Sequence, residues 1–146
     1  MAIRVQTDDF DISTEISALT QGRDDIGAVV SFTGLVRGGD IATMELEHYP
    51  GMTERALQEI EAKAVKRWNL QASLIVHRVG PLQPGAQIVL VLAASPHRQD
   101  AFDAANYMMD YLKTHAPFWK KETGPKGGKW VDARNTDDAA LKRWDN

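Results

Sequence analysis

Lysines are concentrated near the carboxyl end of this chain. Residues 113 to 129 contain one acidic residue, Glu122, and five lysines: Lys113, Lys120, Lys121, Lys126 and Lys129. The run Thr-His-Ala-Pro-Phe-Trp separates Lys113 from Lys120. A lysine that is partly buried beside aromatic rings and a second cation has a lowered pKa, so it can donate or accept a proton near neutral pH. The two lysines are therefore candidates for acid and base chemistry. The simpler alternative for Lys113 is a cation that stabilises a helix C-terminus.

Three further cations stand beside predicted turns, where functional side chains are often found. Arg37 follows Phe-Thr-Gly-Leu-Val and precedes a Gly-Gly pair, and an arginine can pair with a phosphate through two hydrogen bonds. His97 and Arg98 fall in the first turn of a predicted helix, where free backbone N–H groups favour an anion. The pattern predicts a phosphate site. The alternative is that all three side chains are solvated at the surface.

The net charge of the chain helps to identify the kind of molecule that it binds. The formal net charge is −3, whereas a nucleic-acid-binding domain usually has a basic excess. A basic segment on an acidic chain instead indicates a small anionic ligand. No run approaches the roughly 18 apolar residues that span a bilayer, and the N-terminus lacks the order of a secretory signal. We expect a cytoplasmic protein that binds neither nucleic acid nor membrane.

Several kinds of catalytic site are absent from the sequence. The chain has no cysteine, which excludes disulfides and a thiolate nucleophile. The motifs HExxH, CxxC and GxSxG are also missing. Gly124 to Lys129 is rich in glycine but lacks the spacing and the final Ser or Thr of a nucleotide-binding loop. The histidines have no paired ligand spacing: His48, His77, His97 and His115. We therefore predict neither a metal nor a cofactor.

Two long helices are predicted from apolar residues that recur at helical spacing. One runs from Thr53 to Trp68, and the other ends at Pro117. The second should begin with Ser95 as its N-cap and Pro96 in its first position.

The remaining pattern predicts short strands and one short helix. Ser13 is the predicted cap of a helix over 14–21. Strands are predicted over 3–6, 26–36, 44–49, 74–79, 88–94, 118–123 and 129–132. The loop from Gly80 to Gly85 should join two of them as a hairpin. The irregular order predicts a single α+β domain over residues 1–146, with a mostly antiparallel sheet and a polar tail from about 133 to 146.

Several segments together resemble the large subunit of molybdopterin synthase. The matching strings are FTGLVR (32–37), LEHYPGMTE (46–54), the His97–Arg98 pair, MDYLKTHAPFWKKE (109–122) and WVDAR (130–134). They occur in order and cover most of the chain from residue 27 to 144. The resemblance implies an α/β hammerhead-type domain with an additional antiparallel β-sheet, which agrees with the predicted α+β class.

The resemblance also implies a reaction and its partners. Members of this family form a homodimer to which two small ubiquitin-like subunits bind, giving a heterotetramer. The small subunit carries a C-terminal Gly-Gly thiocarboxylate. Two sulfurs pass from it to cyclic pyranopterin monophosphate and form the dithiolene of molybdopterin. Such a sulfurtransferase needs no cysteine of its own, because the sulfur arrives on the partner.

The family's functional residues can be carried over by position. Its catalytic lysines match Lys113 and Lys120. Its substrate contacts fall on Leu35, Val36, Arg37, His97, Arg98, Lys113, Lys120, Lys121 and Glu122. Charge then indicates the roles: the arginines and the histidine hold the phosphate, and the two lysines transfer protons, with an imine at Lys120 as an open alternative. Leu35 stands where many relatives carry a lysine, so only a backbone contact is expected there.

The spacing of two of these residues points to a shared pocket. Arg98 and Lys113 lie 15 residues apart on one predicted helix, which separates their backbones by about 22 Å. A small pterin does not span that distance. The hypothesis is that Arg37, Lys113 and Lys120 come from one subunit and His97 and Arg98 from its dimer mate. Two rivals are a non-catalytic binding module for a phosphorylated ligand and a scaffold that docks a ubiquitin-like protein.

Overall fold

A computed structural model describes residues 2–39, 43–124, 127–131 and 140–144. Within these residues the strands are β1 Ala2–Gln6, β2 Ala28–Leu35, β3 Thr43–His48, β4 Ala72–Arg78, β5 Gly80–Leu82, β6 Gln87–Ser95, β7 Phe118–Gly124 and β8 Gly127–Val131. The helices are α1 Ile12–Thr20, α2 Met52–Trp68 and α3 Arg98–His115, followed by a short 3-10 helix at Lys142–Trp144.

The first sheet has the strand order β1-β4-β6-β2. β1 is parallel to β4, and the other neighbouring pairs are antiparallel. Helices α2 and α3 cover one face, where Leu57, Ile75 and Met108 are fully buried. Helix α1 covers the other face, where Phe10 packs in a cluster with Leu90 and other apolar residues. Because both faces are covered, the central strands β4 and β6 are apolar on both sides, as the sequence predicts for 88–94.

The second sheet has the strand order β5-β3-β7-β8 and is antiparallel throughout. Its small core contains Val36, Met44, Leu46 and Leu82, each buried. Met44 and Leu46 alternate with the exposed Glu45 and Glu47, which produces one dry and one wet face. The predicted α+β class with an additional antiparallel sheet is confirmed.

The two long helices follow the predicted periodicity. In α2 the buried positions include Leu57, Ile60 and Ala64, and in α3 they include Ala101 and Met108. These spacings of three, four and seven residues keep each buried set on one stripe, which packs on the first sheet.

The starting points of two helices differ from the prediction. The N-cap of α1 is Asp11 rather than Ser13, and its Oδ1 accepts the N–H of Thr14 at 2.8 Å. Helix α3 begins at Arg98, three residues after the predicted cap. Ser95 is instead the last residue of β6 and pairs with Ala28. Because this pairing keeps the backbone of Ser95 in the strand, the helix begins later than predicted.

The connection between β4 and β6 and the predicted polar tail both make contacts that the sequence did not predict. The predicted hairpin between β4 and β6 is confirmed, but its connection contains β5, which pairs with β3. In the predicted polar tail, Trp144 packs against the main core. The predicted strand 129–132 corresponds to β8 from Gly127 to Val131. Residues 132–139 lie outside the described part of the chain.

The described residues also bear on membranes and metals. None of their helices is long and apolar enough to cross a bilayer. In the same part of the chain no group of three or more His, Cys, Asp or Glu side chains is placed to hold a metal ion.

Candidate active site

Lys113 lies in the last turn of α3, next to the point where the two sheets meet. There His77, the penultimate residue of β4, stacks on Phe118, the first residue of β7, with ring centroids 3.7 Å apart. The positive charge of Lys113 is close enough to lower the pKa of His77. In the single chain the side chain of Lys113 is exposed. The C-terminal end of α3 therefore places the positively charged Lys113 near the His77–Phe118 stack.

Lys120 approaches the same stack along β7. It lies two residues after Phe118, and alternate residues of a strand share a face. Its register partner in β3 is Leu46, on the dry face of the second sheet. The side chain of Lys120 is half-buried. The two predicted catalytic lysines thus flank Phe118, one from the helix and one from the strand.

The segment Leu35-Val36-Arg37 leaves the first sheet and joins the core of the second. The side chain of Val36 is 2% exposed and packs in the cluster that contains Leu46. Its backbone is also occupied: the N–H donates to Ala86 at 2.9 Å, and the carbonyl accepts from Gly85 at 2.8 Å. Val36 is therefore an anchor, whereas Leu35 and Arg37 on either side of it are exposed.

Strand pairing brings this segment toward Lys113. His77 in β4 and Gly34 in β2 both pair with Val89 in β6. Neighbouring strands are about 4.8 Å apart, so His77 and Gly34 are separated by about 10 Å across the sheet. Arg37 follows Gly34 by three residues. Arg37, Lys113 and Lys120 therefore lie toward the same end of the sheets, and we call this end the cationic corner.

His97 and Arg98 lie at the other end of the molecule. His97 is the N-cap of α3, and its N–H donates to Ser95 Oγ at 3.1 Å. Both side chains are exposed. Because α3 is unbroken from Arg98 to His115, Arg98 and Lys113 are separated by about 22 Å along its axis. One chain does not bring the two predicted halves of the pocket together.

The last two predicted contacts lie beside Lys120. Lys121 is exposed, and its side chain leaves the opposite face of β7, since adjacent residues of a strand alternate. Its register partner is the acidic Glu45. Glu122 pairs through its backbone with Met44, and its side chain lies outside the described part of the structure.

The electrostatics of the corner keep His77 neutral. Burial lowers the pKa of His77 to about 4, and the charges of Lys113 and His48 act in the same direction. Nδ1 lies 2.8 Å from the Arg78 carbonyl, which can only accept a hydrogen bond, so Nδ1 carries the proton. A neutral ring adds no positive charge to a place that already holds two lysines and an arginine.

The sequence reasoning missed two residues of this corner, His77 and Thr53. Thr53, at the start of α2, is fully buried and hydrogen-bonded to the link between α3 and β7. The sequence did offer one signal for His77: it falls inside an apolar strand, which indicates that its side chain is buried. Thr53 belongs to the motif LEHYPGMTE (46–54). Its contact with residue 117 could not be predicted, because the two residues are far apart in the sequence.

The fold and the corner define a class: a two-sheet α+β protein without cysteine in which lysines and an arginine lie at one end of the sheets. A family model described as MoaE protein matches residues 5–115. The chain belongs to this family.

Related proteins agree along nearly the whole length. A molybdopterin synthase catalytic subunit from Mesorhizobium japonicum is 58% identical, over 97% of this chain and 92% of the relative. A solved molybdopterin biosynthesis MoaE protein from Burkholderia ambifaria is 59% identical, with a TM-score of 0.87 over 99% of this chain and 98% of the other. A Helicobacter pylori chain from a complex of subunits 1 and 2 of molybdopterin-converting factor has a TM-score of 0.74, with 91% and 90% covered. At 19% identity that last likeness shows the fold alone.

Proposed function

We propose that this protein is the catalytic subunit of a molybdopterin synthase and acts as a sulfurtransferase. Two sulfurs, one from the C-terminal thiocarboxylate of each of two small ubiquitin-like subunits, pass to cyclic pyranopterin monophosphate, whose side chain becomes a dithiolene. The partner is released as a carboxylate. The reaction takes place in the cytoplasm, on a catalytic subunit that needs no cysteine or metal of its own.

One observation carries this proposal: Lys113 and Lys120 flank the His77–Phe118 stack in a chain that has no cysteine. Replacing carbon–oxygen bonds by carbon–sulfur bonds requires protons to be given to leaving oxygens and taken from carbon. Two lysines on one corner provide those groups. The names of the relatives support the same reaction.

The rest of the cationic corner is suited to binding anions. Arg37 is exposed beside the anchor Val36 and can pair with a phosphate through two hydrogen bonds. Leu35 contributes at most its backbone, while Lys121 and Glu122 follow Lys120 along β7. The lysines also attract the anionic tail of the small subunit.

The pocket is completed by a second copy of the chain. Arg98, Phe102 and Lys113 fall within about 60° of one another around α3, at 100° per residue. This side of the helix faces away from α2, since Tyr107, which packs on Trp68 of α2, points in another direction. Phe102 is 54% exposed on it.

Two copies of α3 that pack antiparallel along this stripe would share a two-fold axis near residues 105 and 106. Arg98 of one copy then lies beside Lys113 of the other, because both are equally far from the axis. His97 and Arg98 would hold the phosphate of a substrate whose reacting carbons face Lys113 and Lys120 of the mate.

Incubation with a thiocarboxylated small subunit and cyclic pyranopterin monophosphate tests the function, with detection of the dithiolene product. We expect product with the native chain, and at least about a 100-fold loss of turnover with Lys113→Ala or Lys120→Ala while substrate still binds. Absence of product with the native chain would overturn the assignment.

Lys66→Ala is a matched control for Lys113→Ala. Lys66 is an exposed cation in the last turn of α2, so its loss removes the same kind of helix-end charge away from the corner. It should leave turnover unchanged. If Lys113→Ala abolishes substrate binding alone, a non-catalytic binding module is the better description. If a small subunit without its terminal glycines binds as well as the intact one and no product forms, the chain is a docking scaffold.

A further inference from the structure

Thr53 is a fully buried polar residue next to the cationic corner. Its backbone N–H donates to the Tyr49 carbonyl at 2.9 Å, and its Oγ1 accepts the N–H of Tyr49 at 3.0 Å. The same hydroxyl donates to the Pro117 carbonyl at 2.9 Å. A buried hydroxyl needs partners, and here both its donor and its acceptor capacity are used. One of these partners belongs to a different part of the chain.

That partner is in the link between α3 and β7, which consists of Ala116 and Pro117. The Ala116 N–H closes the helix on the Leu112 carbonyl at 3.3 Å. The Phe118 N–H donates to the Ala116 carbonyl at 3.0 Å, which makes a tight turn around Pro117. The hydroxyl of Thr53 holds the Pro117 carbonyl of this turn.

The direction of this link determines how the two lysines face each other. Lys113 precedes Pro117 by four residues on a rigid helix, and Lys120 follows it by three on a paired strand. Lys113 and Lys120 can therefore change their relative position only if the link turns. A misplacement of about 1 Å can lower a rate by about 100-fold.

We propose that Thr53 is a positioning residue: its hydroxyl fixes the Ala116–Pro117 link so that Lys113 and Lys120 address the same substrate. Thr53 is buried and does not itself reach the substrate. The inference rests on the proposed sulfur transfer, since that reaction is what uses both lysines.

The test compares Thr53→Val, which keeps the shape but removes the hydroxyl, with Thr53→Ser, which keeps the hydroxyl. We expect Thr53→Val to lower kcat about 10- to 100-fold, with KM changed by less than about threefold. Thr53→Ser should stay within about threefold of the native kcat. Hydrogen exchange at the Tyr49 amide should become faster in Thr53→Val alone, because that amide loses its acceptor.

Ser73→Ala is the matched control. Its hydroxyl is also buried and donates to Glu61 at 2.8 Å, but it lies away from the α3–β7 link. It should lower stability and leave kcat unchanged. If Thr53→Val is too unstable to assay, Thr53→Ala replaces it, and the serine variant must then exceed the alanine variant in kcat by about tenfold.

Three results would overturn the role: native kcat in Thr53→Val, an equal loss of kcat in Thr53→Ser, or an equal loss in Ser73→Ala. The native chain is assayed in parallel. If it forms no dithiolene, the proposed function fails rather than the role of Thr53, and the exchange rate of the Tyr49 amide still reports whether the hydroxyl holds its contacts.

Discussion

The imidazole ring of His77 lies nearly parallel to the ring of Phe118, with the two planes inclined by 17°. His77 belongs to the first sheet and Phe118 to the second, so this contact joins the sheets beside the cationic corner. His77 is 6% exposed, and a charge on its ring would have to be buried next to Lys113. The contact is therefore sensitive to the protonation of one residue.

We predict that His77 makes stability fall in mild acid. Its pKa is about 4 in the folded chain because of burial, against 6.5 for the exposed group. Between pH 4 and pH 6.5, therefore, His77 is mostly protonated in the unfolded chain and mostly neutral in the folded chain. Stability from this group is complete above pH 6.5 and is lost as the pH falls, by roughly 3 kcal/mol at pH 4. Urea unfolding at a series of pH values measures it.

His77→Phe isolates this effect, because it keeps an aromatic ring against Phe118 but cannot titrate. The difference in unfolding free energy between the native chain and the variant should shrink or reverse from pH 7 to pH 4. The pKa of Glu61 is raised by burial and acts in the opposite sense, but it is common to both chains and cancels. A difference that stays constant with pH would show that His77 is not the group responsible.

We predict that Gly27→Ala disrupts the backbone that leads into α3. A Cβ on Gly27 would overlap the carbonyl oxygen of Pro96, and the Gly27 N–H donates to the Ser95 carbonyl at 3.1 Å. Backbone must move, so the variant should lose about 2 kcal/mol or more of unfolding free energy. At Gly38 the nearest atom to such a Cβ is 3.8 Å away. Gly38→Ala should therefore stay within about 0.5 kcal/mol in the same thermal unfolding experiment, and equal losses would contradict the prediction.

We predict that hydrogen bonds to Asp110 stabilise the packing of the C-terminal segment 142–144 against α3. Its Oδ2 accepts Arg143 Nη2 at 2.7 Å and Trp144 Nε1 at 2.6 Å. The indole of Trp144 then packs edge-on against Trp68, with centroids 5.5 Å apart. Asp110→Ala leaves the donors of Arg143 and Trp144 without their acceptor and should lower the unfolding free energy by about 1–3 kcal/mol.

Asp103→Ala is the control for these hydrogen bonds. Asp103 lies on the same helix and accepts only an exposed hydrogen bond from Gln99 at 3.0 Å among the contacts of the described residues. Its loss should cost about 0.5 kcal/mol or less. Equal losses in the two variants, measured by urea unfolding, would mean that the C-terminal contacts do not stabilise the fold.

The elements of this fold were predictable where the signal is local. Apolar periodicity gave α2 and α3, and alternation gave β3, because both patterns reflect which face is buried. Helix starts were less accurate: Ser95 has the right chemistry for a cap, but pairing with Ala28 keeps its backbone in β6. β5 was missed because its partner β3 is far away in sequence.

The candidate site shows the same division. Lys113 and Lys120 could be selected from residue type and spacing, and the distance from Arg98 to Lys113 followed from helix geometry. His77 and Thr53 could not, because each acts through a contact between distant segments, with Phe118 and Pro117 respectively.

The last prediction concerns the shared pocket. Co-expression of a Lys113→Ala chain with an Arg98→Ala chain should restore activity that neither has alone. In a mixed dimer one pocket combines the intact Arg98 of the first chain with the intact Lys113 of the second, and the other pocket lacks both. Purification through two different tags isolates the mixed dimers, each with one intact pocket of two, so about half of native turnover per dimer should return.

A second mixture provides the control. The proposal assigns Lys113 and Arg37 to the same half of the pocket, so a Lys113→Ala chain paired with an Arg37→Ala chain should leave a defect in each pocket of the mixed dimer. This mixture should remain as inactive as its parents, measured as dithiolene formed per dimer after purification through two different tags. Recovery in both mixtures, or in neither, would show that the pocket is not divided between Arg98 of one copy and Lys113 of the other.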